Sequence, residues 1–115
     1  MTNSELDFRI RRGESFLIAN DGQFLGQLSS NHYISDSIMN EYGSYGSKYS
    51  STSIFNQYGL YGSNYSNLSP FNQYTYTPPR IFLRGNYFGY LTENKFIANR
   101  LDPHSLYDFI RNNGL

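Results

Sequence analysis

Leu6, Phe8 and Ile10 alternate with Asp7, Arg9 and Arg11, the period-two pattern of a half-buried strand with one wet face. Gly13-Glu14 turns that strand into a second, Ser15-Phe16-Leu17-Ile18-Ala19, and Asn20-Asp21-Gly22 turns the second into a third. The pattern therefore predicts a three-stranded meander over 6–28. Further along, Arg80-Ile81-Phe82-Leu83-Arg84 leads into Gly85-Asn86 and another apolar stretch, which predicts a β-hairpin over 80–97. The two regions are related in sequence. GQFLGQLSSNHYI at 22–34 matches GNYFGYLTENKFI at 85–97, with Gly22/Gly85, Gly26/Gly89, Leu28/Leu91 and Asn31/Asn94 identical.

Between them the pattern changes to an internal repeat of sixteen residues. YGSYGSKYSSTSIFNQ at 42–57 is followed by YGLYGSNYSNLSPFNQ at 58–73, identical at eleven of sixteen positions. A weaker copy, GQLSSNHYISDSIMNE, occupies 26–41 and keeps Tyr33, Ser35, Ser37, Ile38 and Asn40 in register. Ser69-Pro70 and Ser53-Ile54 read as helix N-caps, and Gly59 as a terminator, so each copy is expected to contain about one helical turn. Thr77-Pro78-Pro79 ends the array, because a residue before proline avoids the helical region. The tail predicts a helix over 103–112. Asp102-Pro103 supplies the start, and Leu106, Phe109 and Ile110 share one face. The expected fold is one domain over 1–115, mainly β (α+β): antiparallel hairpins flanking a Tyr/Ser/Asn-rich array, with one C-terminal helix.

Composition narrows the chemistry. In 115 residues there are twelve Tyr and nine Phe but no Trp or Cys, so disulfides, thiolate metal sites and cysteine nucleophiles are excluded. Nine basic residues balance nine acidic ones, which leaves no overall field to draw in nucleic acid or an anionic membrane. Apolar runs are too short for a membrane helix, and Met1-Thr2-Asn3-Ser4-Glu5 lacks the start of a signal peptide, so a cytoplasmic location is expected. Residues 42–77 hold eight of the tyrosines and a single charge, Lys48. Such a tract invites comparison with disordered prion-like segments, but its strict period and its fixed Phe55 and Phe71 argue for a folded scaffold.

The string Tyr-Gly-x-Tyr-Gly-Ser-x-Tyr-Ser-x-x-Ser-Ile/Pro-Phe-Asn, with Pro78-Pro79 and Gly89-Tyr90-Leu91-Thr92 after it, resembles a family of small uncharacterised bacterial proteins, many of them cyanobacterial. The resemblance spans about residues 22–97. It implies a bacterial source and brings no activity, cofactor or catalytic residue with it.

Function must then come from the residues themselves. Tyr33, Tyr49 and Tyr65 recur at one position of the repeat, and Asn40, Asn56 and Asn72 at another. Aromatic rings with amides and hydroxyls are the composition of adaptable contact surfaces, and equivalent residues sixteen apart suit a polymer or a second copy of the chain. The expected function is a non-enzymatic binding or assembly module that contacts a protein partner or forms a homo-oligomer. A carbohydrate or small-ligand binder is the alternative. The plainer reading makes the same tyrosines core and rim, and the asparagines and serines caps of their own turns. Arg80, Phe82 and Arg84 on one strand face, with Arg9 and Arg11 on another, form a possible anion contact for single-stranded nucleic acid, against which the charge balance weighs. His32 and His104 are the only neutral-pH bases, and neither belongs to the repeated pattern. No phosphate loop, metal-binding or serine-elbow motif is present, so no cofactor, metal or catalytic residue is expected.

Overall fold

The chain opens with a capped helix. In the computed structural model, which describes residues 1–115, α1 runs from Asn3 to Arg11. The Thr2 hydroxyl accepts a hydrogen bond from the Glu5 N–H at 3.1 Å, and the Glu5 carboxylate accepts one from the Thr2 N–H at 3.2 Å. This corrects the strand expected over 6–11. Leu6 and Ile10 satisfy both periods, being an even number apart and also four apart. Phe8 separates the two: alternation would bury it with them, whereas it is 58 % exposed. Leu6 and Ile10 pack instead on a cluster of Phe16, Ile18, Phe24 and Phe82.

Five strands form one sheet: β1 (Phe16–Ile18), β2 (Phe24–Gln27), β3 (Arg80–Leu83), β4 (Asn86–Leu91) and β5 (Arg100–Leu101). Their order is β2-β1-β3-β4-β5, antiparallel except for the parallel β4–β5 pair. The expected meander is thus a helix followed by a hairpin, and the two hairpins join through β1 and β3 rather than standing apart. Leu17 lies opposite Ile81 at that junction. Leu17 also faces Gly26, and Ile81 faces Gly89, each beside a break in register. The two related sequences therefore fold as pseudo-twofold mates about the Leu17–Ile81 pair.

Residues 28–79 contain neither helix nor strand, which corrects the helical turns expected there. They form a chain of single turns. Backbone N–H groups bond back three residues from Ser50 to Ser47, Ser53 to Ser50, Asn56 to Ser53 and Gly59 to Asn56. Ser63 then bonds back four residues, to Gly59. Four steps of three and one of four make sixteen, which is the physical origin of the repeat. Ser47 N–H to Gly43 O is the same four-residue step in the preceding copy. Polar side chains drive the steps: Ser47, Ser50, Ser53 and Asn56 each accept the N–H two residues ahead, from Tyr49, Thr52, Phe55 and Tyr58. Serine does cap, as its sequence context suggests. Another capping residue follows three positions later, so no helix propagates.

The array docks on the sheet at both ends. Gln27 of β2 exchanges backbone bonds with Asp36 and Ile38, and the Glu93 N–H donates to the Pro70 carbonyl. Between sheet, array and tail lies the main core, where Leu17 and Ile81 meet Ile38, Ile54, Leu106 and Ile110. Ser37, Ser53 and Ser69 are fully buried at equivalent places. The tail is helical as expected, a 3-10 turn at Pro103–Ser105 running into α2 (Leu106–Asn112), with the Asp102 carboxylate accepting the His104 N–H at 2.9 Å. No helix is long and apolar enough to cross a membrane.

Candidate functional site

Each sixteen-residue copy directs its side chains by the step they follow. Tyr33, Tyr49 and Tyr65 stand two residues after Asn31, Ser47 and Ser63, whose side chains hold the tyrosine N–H groups at 2.9–3.1 Å. Their rings project into solvent, 81–94 % exposed. A second row, Tyr42, Tyr58 and Tyr74, stands two residues after Asn40, Asn56 and Asn72 and is equally free, at 77–96 %. Sequence reasoning missed this row, although it too repeats every sixteen residues.

The asparagines are tied into the backbone, and Asn56 also borders the cleft between Tyr49 and Tyr58. Each amide holds its backbone from both ends. Nδ2 of Asn40, Asn56 and Asn72 donates to the carbonyl six residues back, of Ile34, Ser50 and Ser66, at 3.1–3.2 Å. Oδ1 accepts from the following tyrosine N–H at 3.0–3.1 Å. These side chains, expected to meet a ligand together with the tyrosines, clamp the turns that present those tyrosines. Asn72 is buried, while Asn40 and Asn56 are half-buried. Glycine completes the clamp, since a Cβ on Gly46 would lie 2.0 Å from Asn40 O and one on Gly62 2.2 Å from Asn56 O.

A third tyrosine in each of the two copies over 42–73 turns inward. Tyr45 meets Phe24 edge-on at 4.9 Å, and the Tyr61 hydroxyl donates to Asp21 at 2.7 Å. Burial above all, then the Asp21 bond and charge, pushes the Tyr61 phenol up to about 12. The apolar positions after Ser53 and Ser69 close the floor against the tail, with Phe55 beside Tyr107 at 5.7 Å and Phe71 beside His104 at 5.5 Å.

Clefts open between the exposed rings. One, of about 530 Å³, lies between Tyr42 and Tyr49 and includes Glu41, Ser47, Lys48, Phe55 and Tyr107. Another, of about 360 Å³, is lined by Gln57, Tyr58, Ser63, Asn64 and Tyr65. Those five positions are Glu41, Tyr42, Ser47, Lys48 and Tyr49 moved on by one repeat. A third cleft, of about 320 Å³, lies between them, walled by Tyr49 and Tyr58. The tyrosine face is thus a row of related hollows over a turn scaffold whose capping serines and asparagines are already engaged.

The other expected contacts are dispersed. Arg80, Phe82 and Arg84 do not share an exposed face. Phe82 stacks on Phe16 at 4.9 Å inside the α1 cluster, and Arg84 occupies the β3–β4 turn at φ 48° with its guanidinium on the Asn113 carbonyl. Arg80 is half-buried, and its Nε is buried without a hydrogen-bond partner. Arg9 lies over the Phe24 ring at 3.9 Å and pairs with Glu14 at 2.7 Å, so it is not a free cation either. In an open hollow of about 330 Å³ at Arg9, Arg12, Glu14 and Asp36, the lining charges pair with one another. Exposed His32 has its Nδ1 3.0 Å from the Met39 carbonyl, and exposed His104 stands 3.6 Å from Glu93. Neither histidine lines any of these hollows. Comparison with protein-family models, with curated proteins and with solved structures finds no match for the chain.

Proposed function

We propose that this protein is a non-enzymatic binding and assembly module whose contact surface is the tyrosine face of the turn array. One observation carries the reading: in the two copies over 42–73 the capping serines, the asparagines and the second glycine are engaged by the scaffold, while two tyrosines per copy, Tyr42 with Tyr49 and Tyr58 with Tyr65, stand out in solvent; the weaker copy over 26–41 adds Tyr33. Exposed aromatic surface in this quantity is costly to leave in water and marks contact sites. Tyrosine also brings large area with few rotatable bonds, so little side-chain entropy is lost when it docks. A near absence of charge on the array removes repulsion between like faces, so a second copy of the chain is a fitting partner.

Sedimentation velocity over a wide concentration range tests this. The wild-type chain is expected to associate as concentration rises, and the Tyr49→Ser/Tyr65→Ser double variant to stay monomeric with an unchanged melting temperature. A wild-type chain that remains monomeric throughout refutes self-association. The repeated clefts favour a second kind of partner, a polymer lying along the row.

A further inference from the structure

We infer that the clefts between the exposed tyrosines are successive subsites for one linear, uncharged polysaccharide. The inference rests on the tyrosine face being the contact surface and adds the ligand class. Two clefts share five positions of consecutive repeats, of which two tyrosines and a serine are identical, so a ligand with a repeating unit can make those three contacts in each. The clefts keep a pair of tyrosines and a serine in common. Their charges are not kept: Glu41 and Lys48 of the first become Gln57 and Asn64 in the second. A polymer with a charge on each unit would meet a counter-charge in one cleft and an amide in the next. An uncharged polymer needs only what both clefts keep, the pair of tyrosine rings and hydrogen-bonding side chains beside them.

Pyranose units supply the matching half. Their axial C–H face is apolar and stacks on an aromatic ring, while their rim of hydroxyls accepts from the Ser47 and Ser63 O–H groups and pairs with the Gln57 and Asn64 amides. Continuity along the row comes from the middle cleft, because Tyr49 walls the first and middle clefts and Tyr58 the middle and last. The rings are mounted on turns closed by internal hydrogen bonds, so the backbone that spaces them is set before the ligand arrives and only side-chain rotamers are left to order on binding. Phosphate-bearing polymers fit poorly, since Lys48 is the single cation in residues 42–77.

Affinity electrophoresis in native gels containing mixed-linkage β-glucan, amylose or alginate tests the inference. The wild-type chain is expected to be retarded by at least one of the two neutral polymers and not by anionic alginate. Tyr49→Ser/Tyr58→Ser, which removes the two shared walls, is expected to weaken that retardation about tenfold, on the scale of two lost aromatic contacts. Tyr87→Ser, on β4 and outside the clefts, leaves it unchanged. Equal mobility in all gels, or retardation indifferent to the double substitution, overturns the inference. Concentration-dependent association that the double variant abolishes, without retardation by either neutral polymer, overturns the ligand class and leaves the contact surface standing.

Discussion

Replacing Asn56 separates scaffold from surface. Its amide makes two backbone hydrogen bonds, Nδ2 to Ser50 O at 3.1 Å and Oδ1 from Tyr58 N–H at 3.1 Å. Each such bond contributes about 1 kcal/mol net, so Asn56→Ala is expected to destabilise the fold by about 2 kcal/mol. Asn56→Ser keeps one of the two, because a serine oxygen at a step accepts the N–H two residues ahead, as Ser53 does for Phe55 at 3.1 Å. It should therefore cost about 1 kcal/mol. For a chain of this size the unfolding entropy converts each kcal/mol into about 4 °C, giving falls in Tm of about 8 °C and about 4 °C. Tyr49, by contrast, touches little, and Tyr49→Ser should stay within about 0.5 kcal/mol of wild type, or about 2 °C. Differential scanning calorimetry at one pH and concentration reads all three variants. If Asn56→Ala melts with the wild type, or if Tyr49→Ser falls as far as Asn56→Ala, the division between clamp and surface is wrong.

Two further outcomes follow from the same geometry. Gly62→Ala drives a Cβ to 2.2 Å from Asn56 O and 2.5 Å from Ile54 O, both backbone atoms, and should cost about 3 kcal/mol or more; Gly59→Ala meets only the Asn56 side chain, at 3.1 Å, and should cost about 1 kcal/mol, so equal denaturant midpoints for the pair would contradict the turn packing. Tyr61 is held near 12 in the folded chain against about 10 when unfolded, so its contribution is complete below pH 10 and is lost as the pH rises from 10 to 12. Urea midpoints measured at pH 9, 10 and 11 should fall less steeply for Tyr61→Phe than for wild type, and parallel curves would refute the raised Tyr61 phenol that burial and Asp21 together produce.

The parts of the fold legible in the sequence are those specified locally. Asp102-Pro103 with Leu106 and Ile110 marks the tail helix, and the glycine turns mark both hairpins. The meeting of β1 with β3 joins segments more than sixty residues apart, and no local pattern encodes it. The two-residue β5 is too short to have a period. At the N-terminus a signal was present and outweighed: Thr2 and Glu5 spell a capping box, but three alternating apolar residues look like a strand whenever the middle one is assumed to be buried. Within the array, sixteen was visible and three was not. The smaller step appears only once serine, asparagine and glycine are seen as interchangeable turn-starters. That equivalence also explains why the asparagines looked like ligand contacts. An amide serves a turn and a ligand with the same atoms, and the bond from Nδ2 to the carbonyl six residues back shows the turn's share of that work.

Laser-polarised NMR of the tyrosine rings tests the contact surface most directly, since only rings open to the dye give signal. In dilute protein, Tyr42, Tyr49, Tyr58 and Tyr65 should be strongly polarised and Tyr61 silent. On raising the concentration, or adding mixed-linkage β-glucan or amylose, the four array signals should fade while Tyr87 on the sheet keeps its intensity. Array signals that persist while Tyr87 fades would put the contact on the sheet and contradict the account.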